Sequence, residues 1–203
     1  VKIVFTSAGN PNKYTAILKS HDITVVHVVS NLNFAIKSLD AGVDAIVVEG
    51  FEAGGHNGKN ETTTMCLVPL ISKNIDIPII AAGGISCGKS MLAALSLGAD
   101  GVQIGSRFAV SKESSAHVNF KNHVIKSKEG DTALTMKDIV PVRLIKNEFY
   151  DEVTKMYDQK KSKCDIEKFL GKGRAKKGIF DGDLKNGELE IGQVSCSINS
   201  IQS

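Results

Sequence analysis

Short runs of apolar, mostly β-branched residues recur through the first half of the chain, at 1–6, 23–29, 45–49, 77–82 and 101–105, each closed by a turn. Such runs read as strands, and because their apolarity is continuous rather than alternating, as strands covered on both faces. The segments between them carry helix punctuation. Asn10 followed by Pro11 opens one helix, Asn31 opens the next with Gly42 closing it, and Ser86 opens another that Gly98 closes. Strands recur every 20 to 30 residues, roughly the repeat of a strand followed by a crossover helix that returns the chain to a parallel neighbour. The pattern predicts a βαβα architecture with five strands, and by itself allows either a doubly wound open sheet or an incomplete eight-stranded barrel.

After Phe108 the rhythm changes. The pattern predicts a helix over 111–128, a short apolar stretch at 140–145, a polar helix over 147–159 and a Lys-rich break. Leu189, Val194, Ile198 and Ile201 fall near helical spacing, which predicts a final amphipathic helix over 189–201. Residues 111–203 are expected to form a helical extension packed on a barrel portion at 1–110, with a small separate subdomain as the alternative.

With 203 residues, 42% of them apolar and 23% charged, the composition is that of a globular protein able to bury one substantial core. A formal charge of +3 is too mild to point to nucleic acid, and the clusters at Lys160, Lys161 and Lys163 and at 174–177 read as solvated faces. Cys66, Cys87, Cys164 and Cys196 are far apart and form no metal-ligand or redox motif, so a reduced, cytoplasmic setting is expected and no metal site is argued. No apolar run is long enough for a membrane span. The chain opens inside a strand-like run, without Met, so an upstream segment is expected.

Three glycine-rich elements each follow a predicted strand directly, the position at which parallel α/β folds bind ligands. The first is EGFEAGGHNG (49–58), in which glycines allow close approach of backbone to a flat ligand and His56 presents a group that exchanges a proton near neutral pH. A loop histidine can equally serve only as a backbone hydrogen-bonding partner, but this glycine context at a strand end favours chemistry. Glu49 and Glu52 could orient the imidazole or act as structural caps. The second element is AAGGIS (81–86) and the third QIGSRF (103–108). Consecutive glycines leading into a helix start expose N–H groups with the helix dipole behind them, an anion site. Arg107 could add charge there or serve as a structural partner. Cys87 is expected to be packed rather than reactive, and the 171–174 stretch GKGR to be a turn, since it lacks a phosphate-loop pattern.

EGFEAGGHNG (49–58), PIIAAGGI (78–85), LGADGVQIGSRF (97–108), KESSAH (112–117), PVRLIKN (141–147) and GDLKNGELEIGQVS (182–195) together resemble the nitronate monooxygenases, formerly called 2-nitropropane dioxygenases. The chain is also similar to the flavin-type enoyl-acyl-carrier-protein reductases, close relatives in the same fold. The resemblance implies a (β/α)8 TIM barrel, here its strands 4 to 8, that binds FMN non-covalently. It places His56 near the flavin as the base, or the group polarising the substrate, during nitronate oxidation by dioxygen. It places Gly55 at the cofactor, the flavin phosphate on backbone groups of Gly83, Gly84, Gly105 and Ser106, and Gln103 and Ile104 along the approach. Relatives usually have threonine at Ser106, and often aspartate-glycine-arginine at Cys87, Gly88 and Lys89. They also begin with three further βα units, on the order of 100 residues, which leaves a five-stranded portion unable to close.

Three functions follow as alternatives: nitronate oxidation, NAD(P)H-dependent enoyl reduction, to which Thr62 to Met65 and the KESSAH run are at least as similar, and an inactive fragment or flavin-binding module needing strands from elsewhere. Expected partners are small molecules, with a homodimer allowed and neither nucleic acid nor membrane.

Overall fold

A computed structural model describes residues 1–203. In chain order the strands are β1 (Ile3–Thr6), β2 (Thr24–Val29), β3 (Ala45–Glu49), β4 (Gly55–His56), β5 (Ile79–Ala82), β6 (Gly101–Gln103), β7 (Thr132–Thr135) and β8 (Val142–Ile145). The α-helices are α1 (Thr15–Lys19), α2 (Leu32–Asp40), α3 (Thr64–Ser72), α4 (Gly88–Ser96), α5 (Ser106–Ala109), α6 (Val118–Val124), α7 (Glu148–Asp158), α8 (Lys163–Leu170) and α9 (Arg174–Ile179). The chain divides into two compact units, one of residues 1–52 and 58–104, the other of 53–57 and 105–203.

In the first unit all five expected strands form one sheet, every pair parallel, in the order β1-β2-β3-β5-β6. Each strand lies beside the next parallel strand of the chain and the order never reverses. A doubly wound sheet requires a reversal, so the order decides for the (β/α)8 type of fold, represented by five strands. Alternation along the strands serves two layers. Val25, Val29, Ile46, Val48, Ile79 and Ala81 pack with Leu67, Val68 and Ile71 of α3, whereas Val26, Ala45, Val47 and Ala82 form a second, smaller cluster on the other face. The helix signals act as expected at α2, where Asn31 Oδ1 accepts from Phe34 N at 2.9 Å and Gly42 takes a φ of +78° beyond the end. At α4 the cap is Cys87, one residue after the expected Ser86.

The second unit begins at 105 rather than 111, takes residues 53–57 out of the first glycine loop, and is not only helical. It contains an antiparallel sheet in the order β4-β8-β7. The apolar stretch at 140–145 became β8, its four residues all buried. Of the helix expected over 111–128 only α6 forms, and the one expected over 189–201 is absent. Instead Glu190 bridges Leu144 of β8, Ile145 N donates to Leu189 O at 2.9 Å, and Gln193–Ser197 is a 3-10 turn. The apolar residues there satisfy a core around Phe120 and Val124 that helical spacing did not require. No helix is long and apolar enough to cross a membrane.

Candidate functional site

In the first unit the glycine elements converge on Thr64. Gly50 N donates to Ala82 O at 2.9 Å, tying the end of β3 to the end of β5, and a side chain at Gly50 would collide with Thr64. The Glu52 carboxylate accepts from Thr64 N at 3.1 and 3.0 Å and from Thr64 Oγ1 at 3.1 Å. Thr64 Oγ1 also lies 3.2 Å from Ala82 O and 2.9 Å from Gly83 O, so its one proton is shared among carbonyls and carboxylate. Glu52 thus caps the start of α3, the structural alternative weighed for it. Glu49 has no such partner. It ends β3 on the face of Ala45 and Val47, where burial pushes its carboxyl up to about 7. A carboxyl titrating there can hold or release a proton at neutral pH.

Gly83 and Gly84 follow β5 with φ of +86° and +72°, conformations only glycine adopts without strain. A Cβ at Gly83 would lie 2.6 Å from Gly50 O, and one at Gly84 would lie 3.5 Å from Glu52 Oε1. Neither amide N–H donates to a backbone carbonyl in the turn, while Ser86 N and Cys87 N, two and three residues beyond Gly84, both donate to Ser90 Oγ at 3.1 Å. The turn therefore leaves the N–H groups of Gly83 and Gly84 without a backbone acceptor. Cys87 is exposed rather than packed, and its hydrogen bonds with Ser90 lower its thiol pKa. Gln103 is the last residue of β6, and Ile104 packs against the helix-side core.

Gly105 and Ser106 open α5 in the second unit. Gly105 has a φ of −93° and open space where a side chain would stand, so neither backbone nor neighbours demand a glycine there. Ser106 is buried and its Oγ accepts from Gly192 N at 2.9 Å. Arg107 donates to Ser200 O at 2.7 Å, the structural option rather than an anion ligand.

His56 lies on β4, opposite Val142 of β8, with Gly55 opposite Arg143. Its side chain is 68% exposed, and Nδ1 lies 4.0 Å from Oε1 of Glu190, whose side chain is 21% exposed. Burial raises the Glu190 carboxyl pKa and the His56 charge opposes that. Gly55, with φ of +76°, leaves room for this carboxylate, since a Cβ there would stand 3.0 Å from Glu190 Oε2. Asn57 Nδ2 closes the turn by donating to Ala53 O and Gly55 O, both at 3.0 Å, while its Oδ1 is buried without a partner. The second unit thus offers an accessible imidazole, a carboxylate behind it and a buried acceptor in need of a donor.

The sequence profile of nitronate monooxygenase matches residues 1–203. The chain belongs to the nitronate monooxygenase family. A probable nitronate monooxygenase of Staphylococcus saprophyticus is 35% identical over 188 residues, covering 87% of this chain and 52% of that protein. The chain spans about half the length of the curated relatives it matches. Among solved structures, FabK from Thermotoga maritima has a TM-score of 0.93 at 37% identity, covering 100% of this chain and 64% of its own. The nitroalkane oxidase of Streptomyces ansochromogenes has a TM-score of 0.82 at 25% identity, covering 100% of this chain and 60% of its own.

Among the residues expected in the site, Gly83 and Gly84 come together in the first unit with Gly50 and Glu52, while Gly55 and His56 share β4 in the second. Two residues escaped the sequence reading. Thr64 stands in a run of three threonines, where nothing distinguishes the one whose hydroxyl joins three elements. Glu190 lies in the quoted motif GDLKNGELEIGQVS, about 130 residues from His56, and only the β8 edge joins them.

Proposed function

We propose that this chain is the FMN-binding and base-bearing portion of an enzyme that oxidises alkyl nitronates with dioxygen. The observation that carries the proposal is an exposed imidazole, His56, in the glycine loop of a chain whose whole length matches the family. In this reading His56 is the base, and its exposure lets a small anionic substrate reach it. The turn at Gly83 and Gly84 fits a phosphate, with left-handed glycines that bring the backbone close and two N–H groups that donate nowhere in the turn. Gly55, Gln103, Ile104, Gly105 and Ser106 complete the proposed flavin contacts; Ser106 Oγ accepts from Gly192 N and keeps its own proton to donate. Bound FMN would supply the two-electron acceptor that passes electrons to dioxygen.

NAD(P)H-dependent enoyl reduction is the second reading, favoured by the reductase-like segment around Thr64, which the structure makes the hub of the first unit. Absorbance of the purified protein, followed by anaerobic titration with propionate 3-nitronate and separately with NADPH, tests both. A yellow protein bleached by nitronate alone is expected. Bleaching by NADPH alone would transfer the assignment to the reductase, and a colourless protein that takes up no added FMN would exclude both activities for this chain.

A further inference from the structure

β8 has β7 along one edge. Along the other edge two separate pieces of chain lie end to end, Gly55 and His56 opposite Arg143 and Val142, and Glu190 opposite Leu144. Alternation puts residues opposite Val142 and Leu144 on the same face, about 7 Å apart along the strand, close enough for their side chains to meet. They do meet, with Nδ1 of His56 4.0 Å from Oε1 of Glu190. The space for this comes from Gly55, and the backbone of Glu190 is held by the bridge to Leu144 and by the bond from Ile145 N to Leu189 O at 2.9 Å.

We propose that Glu190 is a positioning residue for His56, its carboxylate favouring a proton on Nδ1 so that Nε2 keeps its lone pair for the substrate. This rests on His56 being the base proposed above. The carboxylate acts from the less exposed side of the pair, so the imidazole keeps a free edge toward solvent and substrate. It also stabilises the imidazolium that forms when Nε2 takes a proton. The groups that face Glu190 are few. Glu188, two residues back along the chain, repels it electrostatically, and Arg174 in turn attracts Glu188. On β8 the residues of the shared face, Val142 and Leu144, are apolar, while Arg143 alternates to the other face.

The test is the nitrogen-15 spectrum of the His56 imidazole in the whole chain, at a pH where the ring is neutral. The wild type is expected to hold its proton on Nδ1. Glu190→Met is expected to move it to Nε2, the form preferred by free histidine, and Glu190→Gln, which keeps an acceptor without charge, to fall between, with the amide spectrum otherwise superimposable. In the flavin-loaded protein Glu190→Met should lower kcat about fivefold, the upper end for a solvent-facing ion pair, with little change in KM. Independently, the carbon-13 titration midpoint of Glu190 should rise in His56→Gln, since His56 charge holds it down. Unchanged imidazole shifts in Glu190→Met, or an unchanged Glu190 midpoint in His56→Gln, would overturn the pairing. A proton shift without any nitronate consumption by the wild type would leave the pairing intact and remove His56 from the role of base.

Discussion

Glu49 is a residue whose environment disagrees with its chemistry. A glutamate at the end of a parallel strand, on a face shared with Ala45 and Val47, exchanges water for aliphatic neighbours, and its carboxyl rises from 4.5 to about 7. The folded chain therefore holds this proton more tightly than the unfolded chain. The resulting stability is fully present below pH 4.5 and is lost as pH rises through about 7, amounting to at most ~3 kcal/mol. Glu49→Gln should remove that loss, raising the urea midpoint at pH 8 and leaving it nearly unchanged at pH 4.5. The same gain at both values would show that burial of charge is not the cause. Glu188 carries a shift in the same direction, also to about 7 by burial, so some decline with pH will persist in the variant. Glu52, three residues from Glu49, is placed differently, because Thr64 supplies its carboxylate with an N–H and a hydroxyl.

Among the elements, α7 shows how one side chain can start a helix and fasten it. Asn147 Oδ1 accepts from Tyr150 N at 3.1 Å, while Nδ2 donates to Leu184 O at 2.8 Å and Gly187 O at 2.9 Å. Further along, Phe149 of α7 stacks with Phe169 of α8 at 5.9 Å, and the Arg174 guanidinium sits 5.2 and 5.1 Å from the two ring centres. Three donations from Arg174, to Leu170 O, Asn186 O and Phe169 O, fix that arginine against the ends of both segments. Asn147→Ala loses the cap and two half-buried bonds, which should cost about 2 to 3 kcal/mol by thermal melting. Asn147→Asp keeps the cap acceptor and should fall between. Equal melting points for all three proteins would mean that neither set of bonds matters.

At the scale of the whole molecule, the five-stranded sheet leaves β1 and β6 as edges. In this 203-residue stretch taken by itself, Ile3 and Phe5 of β1 are both about half exposed on a strand with an unpaired side, the arrangement that invites edge-to-edge association. Phe5→Lys should lower light scattering at high protein concentration while changing stability by less than about 0.5 kcal/mol. Scattering equal to that of the wild type would place the association surface elsewhere.

Strand positions in the first unit were legible because each β-branched run is bounded by its own turn, and both period and punctuation are local properties of the chain. The glycine loops after β3 and β5 were legible for the same reason. Local pattern could not choose between barrel and doubly wound order, since that depends on which strands pair, and pairing is a long-range property. Nor could it foresee that residues 53–57 would leave their loop to pair with β8, or that 189–191 would bridge β8 rather than coil into a helix. The spacing of Leu189 and Ile198 is equally satisfied by an extended segment and a 3-10 turn on one core, and tertiary burial decides between them. The sequence by itself determined the βα repeat, the glycine turns and the presence of His56. Only the tertiary structure decided which carboxylate each site received, Glu52 for Thr64 and Glu190 for His56, because a charge finds its partner through space and not along the chain.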